Sequence, residues 1–174
     1  MSLSVLDAIA ARRSIRKYTE EPVDVQQLET LLAAALQSPS ACNDQPWHFT
    51  VVQSRKFMDD VSAEASKISG RDLGDVFYAA PLAIFISYVA DSHWGFLDSG
   101  IAVQNIALAA TGLGLGSVIL GFPEYAFKGP RGSYFEEQLG FPPGHRFAVA
   151  IAIGHPARSK PAHEQKSGLV SYLV

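Results

Sequence analysis

The sequence predicts a single domain built from both helices and strands. Its 174 residues are enough to bury a core of their own. Segments whose apolar residues recur at helical spacing alternate with shorter runs rich in β-branched and aromatic residues. No internal repeat, low-complexity tract or change of composition divides the chain, so residues 1–174 are expected to form one domain.

Five helices are predicted from apolar residues at helical spacing and from polar residues that can cap them. The second helix is the clearest. Asp24 can cap it together with Gln27, and Leu28, Leu31 and Ala35 recur along one face. The predicted helices follow Ser4, Asp24 and Ser54, run from about Trp94 to Thr111, and span 133–139, where Ser133 and Glu136 would form a capping box.

Four strands are predicted, at 48–53, 82–89, 118–120 and 146–153. The run at 82–89 is apolar on both alternating faces, as in a strand with neighbours above and below. The first strand follows a polar segment at 38–47, called here the amide loop, which begins where Pro39 ends the second helix.

Composition and charge exclude several classes of protein. Apolar residues make up 48% of the chain and charged residues 18%, below the usual quarter, so we expect a second copy to cover part of the apolar surface. A net charge of −3 gives no reason to expect nucleic acid. No apolar stretch is long enough for a membrane span. The single cysteine, Cys42, excludes an intrachain disulfide, and without a signal segment we expect a cytoplasmic location.

The densest positive charge lies at 12–17, called here the cationic cluster. It holds four of the fourteen lysines and arginines. Cations at the last turn of a helix would suit the helix dipole, which is one interpretation. Ser14 between two arginines favours another, because a hydroxyl flanked by guanidinium groups can surround phosphate oxygens. We therefore predict a site for a dianionic phosphate.

Other motifs exclude the common catalytic arrangements. Glycines at 112, 114 and 116 lie after a helix and before a strand, the reverse of the order in a dinucleotide-binding fold. The five histidines include no pair at metal-ligand spacing. Cys42 has an acidic neighbour, Asp44, and no nearby base. A phosphate site without a nucleophile or metal indicates that a bound cofactor carries the chemistry.

Four segments together resemble the FMN-dependent nitroreductase family. They are Arg-Arg-Ser-Ile-Arg at 12–16, Ser-Pro-Ser-Ala-Cys-Asn-Asp-Gln-Pro-Trp at 38–47, Gly-Leu-Gly-Ser-Val-Ile-Leu-Gly at 114–121, and Ala-Ile-Gly-His-Pro at 152–156. The resemblance implies an α+β fold in which helices flank a central, mainly antiparallel sheet. It also implies an intertwined homodimer with two FMN sites at the interface.

The resemblance assigns roles by position. The phosphate and ribityl end of FMN would be held by Arg12, Arg13, Ser14 and Arg16. The other subunit would approach the flavin with Pro39, Ser40, Ala41, Asn43 and Gln45. The flavin ring would be lined by Ile119, Leu120 and Gly121. A basic residue after the last strand should reach the phosphate, with Lys166 the first choice and Lys160 the second. The stretch at 68–81 is too short for the lid helices of larger members, which leaves Arg71 as a weak candidate there.

The implied activity is ping-pong transfer of hydride from NADH or NADPH, through flavin N5, to nitroaromatic or quinone-like acceptors. No side chain of the protein is expected to act as a catalytic acid or base. Other flavin chemistry of the superfamily, such as reductive dehalogenation or flavin destruction, stays open as an alternative. A non-catalytic flavin-binding module is the alternative from a different class.

Overall fold

The computed structural model describes residues 3–173. Its helices are α1 (Val5–Ala11), α2 (Val25–Leu36), α3 (Arg55–Ser69), α4 (Gly95–Gly112), α5 (Glu124–Lys128) and α6 (Gly132–Gln138), and its strands are β1 (Trp47–Val52), β2 (Leu82–Val89), β3 (Gly116–Leu120) and β4 (His145–Gly154). A 3₁₀ turn, Ala41–Asn43, interrupts the amide loop.

The four strands form one sheet in the order β1-β2-β4-β3, and every neighbouring pair is antiparallel. Strand β2 lies at the centre and pairs with β1 on one side and with β4 on the other. A bulge between Ile86 and Ser87 shifts the register of the β2–β4 pair. The α+β fold with a central antiparallel sheet, implied by the resemblance, is confirmed.

Two apolar clusters cover the two faces of the sheet, because β2 is buried on both sides. Leu82, Ile84 and Ile86 face the cluster shared with α2 and α4. Ala83 and Phe85 face the cluster shared with α3, α5 and α6. The prediction that 82–89 is a strand buried on both faces is confirmed for its first seven residues, whereas Val89 at its end is exposed. Trp47 is 8% exposed within the α2–α4 cluster, as expected of a core aromatic residue.

The predicted caps of the first three helices are confirmed. The side chain of Ser4 accepts a hydrogen bond from the backbone N–H of Asp7. Asp24 and Gln27 form a reciprocal capping box at the start of α2. Ser54 accepts from the N–H of Phe57. These caps were predictable because each joins residues only three positions apart.

Three local predictions differ from the structure. The cationic cluster is not part of a helix, because α1 ends at Ala11 and Arg12 already leaves helical geometry. The capping box of Ser133 is wrong, since α6 begins one residue earlier, after Arg131, without a side-chain cap. Helix α5 was not predicted, because its five residues are too few to show a helical period.

No helix among residues 3–173 combines the length and the apolar character needed to cross a bilayer. Apolar side chains nevertheless lie on the surface. Val5, Leu6 and Ile9 of α1 are exposed, as are Phe96 and Leu97 at the start of α4. The described part of the apolar tail, 169–173, is exposed as well, and Val174 lies outside the described residues.

Candidate functional site

The second half of the cationic cluster is an extended segment held between the ends of two strands. The N–H of Ile15 donates to the carbonyl of Ser117 in β3 at 2.9 Å, and Ser14 pairs with Ser117 in a parallel bridge. On the other side, the N–H of Ala157 donates to the carbonyl of Lys17 at 3.0 Å. The cluster is therefore placed by residues far away in the sequence rather than by α1.

Two glycines allow this segment to lie against the sheet. A Cβ at Gly116 would stand 3.0 Å from two side-chain atoms of Ile15. A Cβ at Gly154 would stand 3.0 Å from the ring of Tyr18 and 2.6 Å from Pro81. Gly116 and Gly154 are paired in the β3–β4 register, so both contacts lie at one edge of the sheet. These close approaches explain why both positions lack a side chain.

Tyr18 links the second half of the cationic cluster to the sheet. Its hydroxyl donates to the carbonyl of Ile15 at 2.7 Å and lies 3.3 Å from the carbonyl of Ala152 in β4. Burial raises the pKa of Tyr18 well above its usual range, although the positive charge of Arg16 works in the opposite direction. Tyr18 is consequently a neutral hydrogen-bond donor at neutral pH. Tyr18 was not predicted from the sequence, because its partners are carbonyls that no motif reveals.

The guanidinium groups of the cluster bind backbone oxygens rather than carboxylates. One terminal nitrogen of Arg13 donates to the carbonyls of Ala10 at 2.7 Å and Arg12 at 2.8 Å, while its buried Nε has no hydrogen-bond partner among residues 3–173. Arg16 lies with its guanidinium carbon 5.6 Å from the ring centre of Tyr78.

The positive charge of this region is not neutralised by the protein. Within residues 3–173, no carboxylate lies within 4.0 Å of a side-chain nitrogen of Arg12, Arg13, Arg16, Lys17, Arg158 or Lys160. Cations held this close together favour an anionic ligand.

A cavity of about 390 Å³ opens beside the cluster. Ser14, Arg16 and Lys17 line one side, and a segment that follows β4 and contains Arg158 and Lys160 lines the other. An adjoining cavity of about 530 Å³ is lined by Arg13 together with the same two basic residues. The structure thus brings Lys160 to the cluster, whereas Lys166 lines neither cavity. Arg158 was not predicted, although it stands only two residues before Lys160.

The amide loop has an unusual backbone conformation. Cys42, Asn43 and Gln45 have φ angles of 53°, 58° and 49°, in the left-handed region that non-glycine residues rarely occupy. The hydroxyl of Ser40 accepts from the N–H of Gln45 at 2.9 Å and closes the loop. The side chains of Asn43 and Gln45 are exposed and lie 3.3 Å apart, so their remaining amide groups are free to meet a ligand. Pro39 is exposed, and Ala41 is half-buried.

The end of β3 forms the third part of the predicted site. Ile119 is 39% exposed, whereas the side chain of Leu120 is 4% exposed and packs in the core. Leu120 can therefore contribute only its backbone to a ligand. At Gly121, apart from its two chain neighbours, no heavy atom of residues 3–173 lies within 4 Å of the place that a Cβ would take, so a flat ring could approach the chain there. Arg71 lies 5.9 Å from the ring centre of the next residue, Phe122.

The structure brings together only some of the predicted site residues within one chain. The cationic cluster and β3 meet at the bridge between Ser14 and Ser117. The amide loop lines neither of the two cavities beside the cluster, and it packs instead on α4. Residues 3–173 contain no group of three histidine, cysteine or carboxylate side chains arranged to hold a metal ion.

Comparison with known proteins identifies the family. A model described as the nitroreductase family matches residues 9–155. A protein of Methanothermobacter thermautotrophicus, provisionally named NADH dehydrogenase/NAD(P)H nitroreductase, is 39% identical over 90% of this chain and 80% of its own length. The FMN reductase [NAD(P)H] of Bacillus subtilis is 30% identical over 88% of this chain and 66% of its own length.

Solved structures agree with these sequence matches. A nitroreductase of Desulfitobacterium hafniense, crystallised with bound FMN, superposes with a TM-score of 0.92 at 31% identity, and each chain is covered in full. Since the family model spans most of the sequence and the fold is shared along the whole chain, the protein belongs to the nitroreductase family.

Proposed function

We propose that this protein is an NAD(P)H-dependent FMN oxidoreductase that reduces nitroaromatic or quinone-like acceptors. The observation that carries the proposal is the cationic cluster, which shares a cavity with Arg158 and Lys160 and has no carboxylate partner among the described residues. Family membership supports the choice of flavin, because a related nitroreductase binds FMN and a relative is named FMN reductase.

The residues present fit the phosphate end of FMN. A phosphate monoester needs several hydrogen-bond donors and positive charge, which guanidinium groups supply in a planar fork. Arg12, Arg13, Ser14 and Arg16 would hold it, assisted by Lys160 or Lys166. The buried, unpartnered Nε of Arg13 is the kind of orphaned donor that a bound anion would satisfy.

The remaining contacts would position the flavin ring. Ile119, the backbone of Leu120 and the open face of Gly121 would line one side of it. Pro39, Ser40, Ala41, Asn43 and Gln45 would approach from the second subunit.

Bound FMN would supply hydride-transfer chemistry. The site would admit NADH or NADPH first and the acceptor after the nicotinamide has left, in a ping-pong sequence. The protein itself contributes binding, orientation and backbone donors, so no side chain has to exchange a proton. A role limited to binding and orientation agrees with the residues of the described site, which are mainly amides and cations. The single cysteine, Cys42, favours a reducing cytoplasmic location.

The proposal includes a homodimer that completes each flavin site. In one chain the amide loop packs on α4 and does not line the cavities beside the cationic cluster. Exposed apolar residues on α1 and at the start of α4 offer a surface for a second copy. FMN that contacts both subunits should stabilise the dimer by mass action.

Binding of FMN and riboflavin to the apo-protein tests the phosphate site. FMN should bind more tightly, because riboflavin lacks the phosphate. Arg12→Ala should weaken FMN binding about ten- to a hundredfold, the expected loss of one charge-assisted hydrogen bond. Lys56→Ala, an exposed cation on α3, is the matched control and should have little effect. Equal affinity of the wild type for FMN and riboflavin would remove the basis of the proposal.

Anaerobic addition of NADH or NADPH to the holo-protein tests the activity. Bleaching of the visible flavin spectrum, followed by recovery with a nitroaromatic compound or a quinone, is expected of an oxidoreductase. A stably bound flavin that neither nucleotide reduces would indicate a binding module instead.

Sedimentation tests the dimer. The full chain and a variant that lacks 169–174 are each measured with and without FMN. FMN should lower the concentration at which dimers dissociate, and the deletion should weaken both the dimer and FMN binding. A monomer that binds FMN tightly would refute the shared site.

A further inference from the structure

Helix α4 contacts the amide loop at two places through polar side chains. Asp98 and Asn105 are seven residues apart, which is two helical turns or about 10 Å along the helix axis. Ala102, between them on the same face, is fully buried. Both polar side chains therefore point from α4 toward the end of α2 and the loop that follows it.

Asp98 holds the middle of the loop. Asp98 is 3% exposed, and both of its carboxylate oxygens lie 3.3 Å from the backbone nitrogen of Ala41, which donates to them. Ala41 is the first residue of the 3₁₀ turn. A buried carboxylate is unfavourable without donors, so its position beside this N–H indicates a specific role. Its place in the first turn of α4 is further stabilised by the helix dipole.

Asn105 holds the beginning of the loop. Its side-chain amide donates to the hydroxyl of Ser38 at 2.8 Å and to the carbonyl of Ala34 at 3.3 Å. Ala34 is in the last turn of α2, where carbonyls have no partner within the helix. Asn105 thus provides a hydrogen-bond donor to a carbonyl at the end of α2 and holds Ser38, the first residue of the amide loop.

The loop needs such support because its conformation is unfavourable by itself. Cys42, Asn43 and Gln45 all have positive φ angles. Asparagine tolerates such angles, but at cysteine and glutamine they are uncommon and persist where the surroundings stabilise them. Within the loop, the N–H of Gln45 donates to the hydroxyl of Ser40, and the 3₁₀ turn adds two backbone bonds, from Asn43 to Ser40 and from Asp44 to Ala41. The bonds from α4 come from residues 57 and 67 positions later in the chain.

We infer that Asp98 and Asn105 are positioning residues that hold the amide loop ready to contact the flavin before the flavin binds. The inference rests on the proposed function, because it takes the loop to be the part of each subunit that meets the partner's FMN. A preformed loop binds more tightly, since no binding energy is used to order it. Loss of either contact should lower the fraction of protein in the binding-competent conformation and raise the apparent Kd by the same factor.

Four variants test this inference. Asp98→Ala removes the acceptor and should weaken FMN binding about tenfold or more, the range for a hydrogen bond to a charged group. Asp98→Asn keeps an acceptor oxygen of the same reach and should restore binding to within about threefold of the wild type. Asn105→Ala should weaken binding about two- to tenfold. Gln104→Ala, the neighbouring amide on α4, is the matched control and should bind as the wild type does.

Three further readouts separate positioning from general damage. Asp98→Ala and Asn105→Ala should weaken FMN and riboflavin binding by the same factor, because the phosphate site is intact, whereas Arg12→Ala should weaken FMN binding alone. Hydrogen exchange on the apo-proteins should be faster at the amides of residues 41–45 in both loop variants and unchanged in β2. The visible circular dichroism of bound flavin should also change in them.

The outcomes are distinguishable from failure of the proposed function. If the wild type binds FMN, and Asp98→Ala and Asn105→Ala bind it equally well with unchanged exchange at 41–45, the inference is overturned while the proposed function stands. If Asp98→Asn is as weak as Asp98→Ala, the hydrogen bond is not what Asp98 contributes, and the inference is overturned for that residue. If the wild type binds no flavin, the proposed function fails and the flavin-related part of the inference fails with it. Hydrogen exchange at 41–45 then decides only whether Asp98 and Asn105 hold the loop. Should Asp98→Ala not fold, Asp98→Asn and Asn105→Ala decide it.

Discussion

Replacing Tyr18 by phenylalanine tests whether the cationic cluster is held in place from below. The substitution removes one hydroxyl and leaves the ring that contacts the sheet. The hydroxyl now donates to the carbonyl of Ile15 at 2.7 Å and lies 3.3 Å from the carbonyl of Ala152. Phenylalanine would leave the carbonyl of Ile15 without this donor in a partly buried site. Loss of such a bond costs about 1–3 kcal/mol.

This energy converts into measurable shifts. For a domain of this size, about 2 kcal/mol corresponds to a decrease in melting temperature of about 4–8 °C. FMN binding should weaken by up to about tenfold, because Ile15 adjoins Ser14 in the proposed phosphate site and the segment becomes less rigid. Thermal unfolding of the apo-protein and FMN titration measure the two effects. Tyr134→Phe, at a tyrosine that is 43% exposed, is the control and should change neither.

The alkaline pH dependence gives an independent check. Burial raises the pKa of Tyr18 above its usual value near 10, so the folded protein disfavours the phenolate more than the unfolded chain does. The stabilisation from Tyr18 is therefore complete below about pH 10 and decreases as the pH rises further. The stability difference between the wild type and Tyr18→Phe should narrow above pH 10. An unchanged melting temperature at pH 7, or a difference that stays constant to pH 11, would refute the reasoning.

Three further predictions concern the site and the turn beside it. Gly121→Ala should change the free energy of unfolding of the apo-protein by less than about 0.5 kcal/mol, since the added Cβ would meet no atom of the described residues within 4 Å. It should nevertheless weaken FMN binding about tenfold, and an FMN affinity equal to that of the wild type would show that the ring lies elsewhere. Lys160→Ala should weaken FMN binding more than Lys166→Ala, because only Lys160 lines the cavity beside the cluster, and the reverse order in FMN titrations would support Lys166 as the phosphate ligand. Burial works to raise the pKa of Asp75, but hydrogen bonds from Arg55 and from two backbone N–H groups lower it below its usual value. Asp75→Asn should therefore lower the free energy of unfolding by about 1–3 kcal/mol at pH 7, and by progressively less as the pH falls below about 4. A difference in urea unfolding that is independent of pH would contradict this.

The helices show how far local reasoning reaches. Asp24 and Gln27 predicted the start of α2 correctly because a capping box joins residues only three positions apart. The same pattern gave the wrong start for α6. The helix begins at Gly132, one residue before Ser133, so the hydroxyl of Ser133 does not cap it. A Cβ at Gly132 would stand 2.2 Å from the carbonyl oxygen of Phe127, so close packing against α5 places this helix.

The candidate site shows the same division. The basic and amide motifs could be read from neighbouring residues, and they led to the family. Tyr18, Arg158 and Asp98 could not be found in this way. The partners of Tyr18 include Ala152, 134 positions later, and Asp98 meets Ala41 across 57 positions.

The sequence by itself determined the four strands, every helix except α5, and the caps of the first three helices. It also determined the chemistry of the cationic cluster and the amide loop, and the family to which they belong. Each of these depends on residue type and on spacing within one or two turns of chain. The tertiary structure alone decided that β3 and the segment after β4 enclose the cluster, that Lys160 lines its cavity, and that α4 holds the amide loop at Ser38 and Ala41. These arrangements depend on strand order and helix packing, which join residues that no local pattern connects.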